Sequence, residues 1–175
     1  FWELELENIE DQSMVEILES QKIEANVQFG KFIERNYEDW FQPKADKPIL
    51  SHEIFGELVA PEIRKKDKPI LFVVIDNLRY DQWKAFESVV NNHYKLEKEV
   101  SYFSILPTAT QYARNAIFSG LTPLDMEKKF PQYWKNDPDE GGKNLYEGEY
   151  LTEQLKRLGL NIKQEYYKIT NFASG

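Results

Sequence analysis

The sequence predicts an α/β fold, a partial parallel sheet with flanking helices, preceded by a long N-terminal helix. Three features carry that expectation. The run Ile70-Leu71-Phe72-Val73-Val74-Ile75 is apolar without alternation, which suits a strand covered on both faces. A second apolar stretch, Leu96 to Leu106, runs into Pro107. Segments with helical spacing separate these from each other and from a third candidate strand, Ile162 to Ile169, and such alternation is α/β layering.

The elements follow in chain order. Ser13-Met14-Val15-Glu16 reads as a capping box. Met14, Ile17, Leu18, Ala25, Phe29, Phe32, Ile33, Tyr37 and Trp40 recur near helical spacing, predicting one helix from about residue 12 to 40. Gly30 inside it costs roughly 1 kcal/mol relative to Ala. Phe1 to Ile9 is expected to add helix. Two readings of this acidic amphipathic arm stand side by side: the end of an upstream helical module, or a helix packed on its own domain. Gln42 to Pro48 holds two prolines and reads as a linker, which divides the chain into an arm, 1–43, and a domain, 44–175. His52 to Ile63 suggests a short helix in which Pro61 disfavours regular continuation. Asp76-Asn77 ends the first strand. Arg79 to Val90 has helical spacing through Tyr80, Trp83, Phe86 and Val90. Ala113 to Phe118 is helical, with Gly120 placed to stop it. Thr122-Pro123 starts another helix, Thr as cap and Pro in the first turn. Asn136 to Asn144 is a polar loop. Tyr150, Leu151, Leu155 and Leu158 mark a last helix closed by Gly159.

Composition narrows the function classes. The chain has 175 residues, long enough to bury a core, and 11 Phe, 10 Tyr and 4 Trp to fill it. It has no cysteine, which excludes disulfides and thiolate metal sites and fits a reducing compartment, so a cytoplasmic location is expected. No apolar run approaches the roughly 20 residues of a membrane span. The net charge of −8 lies in the arm: residues 1–43 hold eleven acids and three bases, and the remainder is balanced. That argues against a large basic nucleic-acid footprint but leaves room for a small phosphate-bearing substrate.

The chemistry gathers between Ser104 and Gly120. Pro107 stops the strand before it. Thr108 or Thr110 then stands at a helix start, where a hydroxyl can cap free N–H groups and an anion is favoured. Arg114 lies four residues beyond Thr110, on the same helix face. Ligands of parallel α/β sheets bind beyond the carboxyl ends of the strands, where Asp76 and Thr110 both fall. A carboxylate and a hydroxyl so placed can share a divalent metal, and Arg114 can hold phosphate oxygens through its fork of donors. Arg79 and Asp81 read as a charge pair at a helix start. Trp83 and Tyr80 read as core.

Asp76 after its apolar run, then Pro107-Thr108-Ala109-Thr110 with Arg114 and Ser119-Gly120, resembles the alkaline phosphatase superfamily. Phosphodiesterases of that superfamily carry a Pro-Thr-x-Thr element whose second Thr attacks phosphorus. Sulfatases place an Arg four residues after the nucleophile and Thr-Gly nine and ten after it; Thr110, Arg114, Ser119 and Gly120 keep that spacing, with Ser for Thr. Val74-Ile75-Asp76-Asn77-Leu78-Arg79-Tyr80-Asp81-Gln82-Trp83 is similar to the PglZ domain, and Phe1 to Phe41 together with that domain resembles PorX-type response regulators of the type IX secretion system.

The resemblance implies a partial alkaline-phosphatase-like sheet and a zinc-dependent phosphodiesterase or phosphatase. Thr110 would be the nucleophile and a metal ligand, Asp76 a metal ligand and Arg114 the phosphate-binding residue. It implies two zinc ions, with further Asp and His ligands from the later half of the domain. His52 and His93, the only histidines, match no such ligand and read as surface or packing residues. The chain is therefore expected to be the nucleophile half of a larger domain, to turn over little by itself and to self-associate through uncovered apolar faces. Implied partners are a phosphodiester or nucleotide substrate, a sensor kinase, a sigma factor and secretion-machine components. The alternative is a non-catalytic module that docks a sigma factor or secretion component through the acidic arm.

Overall fold

Helices dominate the described residues, 12–42, 46–65, 68–136 and 138–171, of the computed structural model. Two units are distinct: residues up to Pro48 with Arg79–Lys95, and Ile49–Leu78 with Leu96–Gly175.

In the first unit the N-terminal periodicity produces α1, Gln12–Asn36, so Ser13 lies inside the helix instead of capping it. A 3-10 turn, Asp39–Phe41, follows and buries Trp40. Trp40 packs against Phe32 and Tyr37 at ring-centroid distances of 5.8 and 5.9 Å. The expected helix over Phe1 to Ile9 lies outside the described residues. The second helix of this unit is predicted from Tyr80, Trp83, Phe86 and Val90 and spans Tyr80–Asn91. At its start Arg79 forks onto Asp81, with contacts of 3.0 and 2.7 Å. That hydrogen bond holds the Asp81 carboxyl down to about 2, as expected for a helix-start charge pair.

The second unit begins with a 3-10 turn, Ser51–Glu53, then a π turn, Phe55–Val59, which passes into α2, Ala60–Lys65. The short helix expected over 52–63, with its regularity disfavoured by Pro61, is three geometries in succession. Pro61 has no N–H to give the preceding turn, and the change from π to α geometry falls beside it. With Tyr80–Asn91 counted as α3, the remaining helices are α4, Thr110–Ser119; α5, Pro123–Lys129; and α6, Glu147–Arg157. Thr122 caps α5 as its sequence predicts, its Oγ1 accepting from the Asp125 N–H at 3.3 Å.

The core of this unit lies between α4, α6 and the 3-10 turn at Ser51. Ala116, Ile117, Phe118, Tyr150, Leu151 and Leu155 are buried with Leu50, Phe55, Ile105 and Met126. Gly120 stops α4 in the left-handed region at φ 60°. A side chain there would press on Gln154, whose Cδ lies 2.8 Å from the Cβ position. Gln154 caps the helix end from α6, its Nε2 donating to the carbonyls of Ile117 and Phe118 at 3.0 and 2.8 Å.

The expected parallel sheet is not formed among the described residues. One parallel bridge, Leu50 with Phe103, joins two segments. Residues 70–75 are extended but unpaired: Phe72 and Val74 are half-buried, while Leu71, Val73 and Ile75 are exposed. The run therefore packs on one side only, and no described neighbour lies in ladder register. A strand needs a partner for its N–H and C=O groups, which propensity cannot supply. Residues 96–102 and 162–169 are likewise irregular, with Leu96, Tyr102, Ile162, Tyr167 and Ile169 exposed.

The Tyr150 hydroxyl is buried with no hydrogen-bond partner among the described residues. Burial, then the neighbouring Tyr133, pushes its phenol up to about 12 from an ordinary value near 10. The neutral phenol is thus favoured by folding. Its stabilising effect is complete below pH 10 and is lost as pH rises toward 12. Tyr150→Phe should raise stability by about 1 kcal/mol in urea unfolding at pH 7, since it removes an unsatisfied hydroxyl. It should also lose less stability than the parent between pH 10 and 12. A destabilised variant would mean that the hydroxyl has a partner.

Candidate active site

A cleft of about 210 Å³ opens where the extended segment 70–75 ends, walled by that segment, by Tyr102 and Ser104, and by the start of α4. Asp76, Thr108, Thr110 and Arg114 all line it. The three residues singled out in the sequence, Asp76, Thr110 and Arg114, are thus brought together.

Each is placed by a local cause. Asn77 adopts φ 57°, the left-handed conformation that Asn tolerates better than most residues, and the chain turns sharply just after Asp76. Thr110 is the first residue of α4 and is exposed. Neither threonine caps the helix, contrary to the expectation: the N-cap position belongs to Ala109, at φ −60° and ψ 141°, which has no side-chain oxygen. Thr110 therefore lines the cleft without a capping role. Arg114, one turn on, shares that face.

Arg114 is held from two sides. Its Nη1 donates to Asp76 Oδ2 at 2.7 Å, and its Nε donates to Glu147 Oε1. Glu147, the first residue of α6, is buried and also accepts from the Tyr166 hydroxyl at 2.5 Å and pairs with Lys168 Nζ at 3.1 Å. Burial and then the bond to Glu147 push the Tyr166 phenol well up, and burial raises the Tyr102 phenol, so both stay protonated at neutral pH. Above Thr110 the end of the polar loop is tied down. Asn144 Nδ2 donates to the Thr110 carbonyl at 3.2 Å and to Asn115 Oδ1 at 3.0 Å.

The sequence did not disclose Glu147, Tyr166 or Asn144 as parts of this site. Glu147 has the sequence signature of any acid in a first helical turn. Ser119 and Gly120, which keep the sulfatase spacing, form the stop of α4: Ser119 is buried and its Oγ accepts from the Leu121 N–H at 3.2 Å. His52 is half-buried and His93 exposed, and neither lines the cleft.

The donor set for a metal is short. Asp76 and Thr110 offer two donor groups, and among the described residues no three His, Cys, Asp or Glu side chains gather as a ligand group. A tetrahedral zinc site needs four donors, three of them from the protein in catalytic sites, so the described residues do not fit the ion on their own.

The cleft thus combines a carboxylate at the end of segment 70–75, a hydroxyl at a helix start and an arginine one turn on. Residues 54–173 match the family model described as the BREX system PglZ alkaline phosphatase-like domain, and the chain belongs to that family. Residues 1–41 match the PorX response regulator linker domain. The pair of domains is that of a response regulator with a PglZ domain. No curated protein matches the chain. No helix of the described residues is long and apolar enough to cross a membrane.

The turn at Asn77 yields a test of how Asp76 is placed. Asn77→Gly should leave stability within a few tenths of a kcal/mol of the parent, because Gly accepts the same backbone. Asn77→Val should lose about 1–2 kcal/mol in urea unfolding, the cost of left-handed backbone for a residue with a branched Cβ.

Proposed function

We propose that the chain carries the nucleophile half of a phosphodiesterase or phosphatase site in a PorX-type response regulator acting in type IX secretion in the cytoplasm. The arm, 1–43, is read as the end of the linker module and 44–175 as the N-terminal part of the PglZ domain. The observation that carries this reading is the shared cleft of Asp76, Thr110 and Arg114.

In this reading Arg114 holds two non-bridging oxygens of a phosphoester, and the first-turn N–H groups of α4 add a favourable dipole. The Thr110 oxygen attacks phosphorus as its proton passes to water in the open cleft, the P–O bond to the alcohol breaks, and the departing alkoxide takes a proton from water. Water then hydrolyses the threonyl phosphate. Zinc, the ion the family resemblance implies, would lower the hydroxyl pKa when bound. Asp76 and Thr110 would need further ligands to retain it, so turnover by this chain alone is expected to be slow. PorX kinship favours nucleotide phosphodiesters as substrates. A sensor kinase, a sigma factor and secretion-machine components are the proposed partners.

A second reading, a non-catalytic docking module, draws on the short donor set and the acidic arm. It requires partner capture that survives loss of Asp76 and Thr110 and fails on charge reversal in the arm.

The test of the first reading uses the longest natural form of the protein with bis-p-nitrophenyl phosphate and added zinc. Thr110→Val should reduce turnover by about 100-fold or more, as removal of a nucleophile does. Equal rates would rule out Thr110. For the chain alone, elemental analysis after dialysis against zinc should find less than one ion per chain, since two donor groups make a weak and pH-dependent site. Two tightly held ions would overturn that expectation.

A further inference from the structure

Arg114 has two carboxylate partners of opposite character. Asp76, which takes Nη1, has a side chain 46 % exposed; Glu147, which takes Nε, is 2 % exposed. A contact with an exposed carboxylate is screened and exchangeable, whereas a buried charged contact is retained because neither partner can turn to water. Glu147 is itself fixed from behind. Its second oxygen receives the Tyr166 hydroxyl at 2.5 Å and Lys168 Nζ at 3.1 Å. The Tyr166 ring packs edge-on against Phe118 of α4 at 5.6 Å. A guanidinium is planar with five donors in a rigid fork, so a partner on the Nε edge decides which way the remaining donors point.

We propose that Glu147 is a positioning residue. It clamps the Nε edge of Arg114 so that the Nη edge stays turned into the cleft, toward the oxygens of a phosphate, whatever Asp76 engages. This rests on the reading of the cleft as a phosphoester site, and it assigns Glu147 a role in recognition that its place in a first helical turn does not suggest. Glu147 touches no substrate in this scheme; it acts through Arg114.

The experiment uses the full chain, inorganic phosphate as the probe, and two readouts. Calorimetry at fixed ionic strength gives phosphate affinity, and nitrogen-15 NMR follows the Arg114 Nε–H signal, which a buried carboxylate partner keeps in slow exchange. Glu147→Gln keeps the side-chain size and one acceptor oxygen but removes the charge. It should weaken phosphate binding about tenfold, the loss expected when a charged hydrogen bond becomes a neutral one, and the Nε–H signal should broaden or vanish. Arg114→Lys should weaken phosphate binding, and adding Glu147→Gln to it should cost little more, because the two act as one unit. If the two losses multiply, or if the Nε–H signal is unchanged in Glu147→Gln, the proposal is overturned. Should Glu147→Gln fail to fold by circular dichroism, Tyr166→Phe carries the test: it loosens Glu147 from behind and leaves both charges. It should weaken phosphate binding about two- to threefold and broaden the same signal; no change in either overturns the proposal. Phosphate binding by the wild type that Glu147→Gln leaves intact defeats the role of Glu147 alone. Phosphate binding with equal turnover of wild type and Thr110→Val defeats the nucleophile reading alone. A wild type that binds no phosphate defeats both.

Discussion

Glu147 carries a charge almost out of reach of water, and a buried anion persists only where cations and donors surround it. That requirement orders the second unit. Arg114 reaches it from α4, and Tyr166 and Lys168 reach it from the extended segment after α6. Farther along α6, Gln154 and Arg157 hold the carbonyls at the end of α4. The two helices are thus joined by polar contacts at both ends, with Ala116, Ile117, Tyr150, Leu151 and Leu155 buried among the core. Apolar packing alone would tolerate a slide of one helix along the other. A charged contact at one end and a carbonyl cap at the other do not, which fixes where Arg114 enters the cleft.

Local chemistry was legible wherever the cause was local. Gly120 in the left-handed region, Thr122 capping α5 with Pro123 behind it, and the amphipathic spacing of Tyr80–Asn91 follow from residues within one or two turns of each other. Asp76, Thr110 and Arg114 were legible for a related reason: two lie one helical turn apart, and the third ends an apolar run. The sheet was not legible, because a strand is a relation between segments. The composition of Ile70–Ile75 suits a strand covered on both faces, yet Leu71, Val73 and Ile75 are exposed where such a cover would lie. Thr110 was misread as a possible cap for a smaller reason: α4 starts one residue after Ala109, so the hydroxyl stands inside the first turn. Glu147 was invisible because its partners lie on other elements, and nothing in its own neighbourhood distinguishes it from a solvated helix-start acid.

The cleft is electrically asymmetric as a result. Arg114 sits between a carboxylate in water and a carboxylate out of it. An oxyanion entering the cleft competes with Asp76 for the Nη edge, at a contact that solvent already weakens, and does not have to displace Glu147. A cation recruited to Asp76 has the converse effect, since it takes the carboxylate from Arg114 and leaves the guanidinium donors to the oxyanion. On the proposed reading, a cation at Asp76 and an oxyanion at Arg114 would favour each other, since each would remove the partner that hinders the other.

This asymmetry bears on how a site with few metal donors could still select phosphate, as proposed above. Asp76 and Thr110 supply two ligand groups, too few to hold a tetrahedral ion firmly. The guanidinium and the start of α4 would supply recognition that needs no ion, because both carry N–H groups suited to an oxyanion. Binding and turnover then draw on different parts of the cleft. Recognition, as proposed, would use contacts inside this chain, with Arg114 held at Glu147. On the proposed reading turnover would depend on the acidity of the Thr110 hydroxyl, which the described residues do little to raise: Tyr102 and Tyr166 are neutral, and Arg114 already contacts two carboxylates. On the proposed reading, such a cleft would hold a phosphoester more readily than it would cleave one, and further ligands would be needed for turnover.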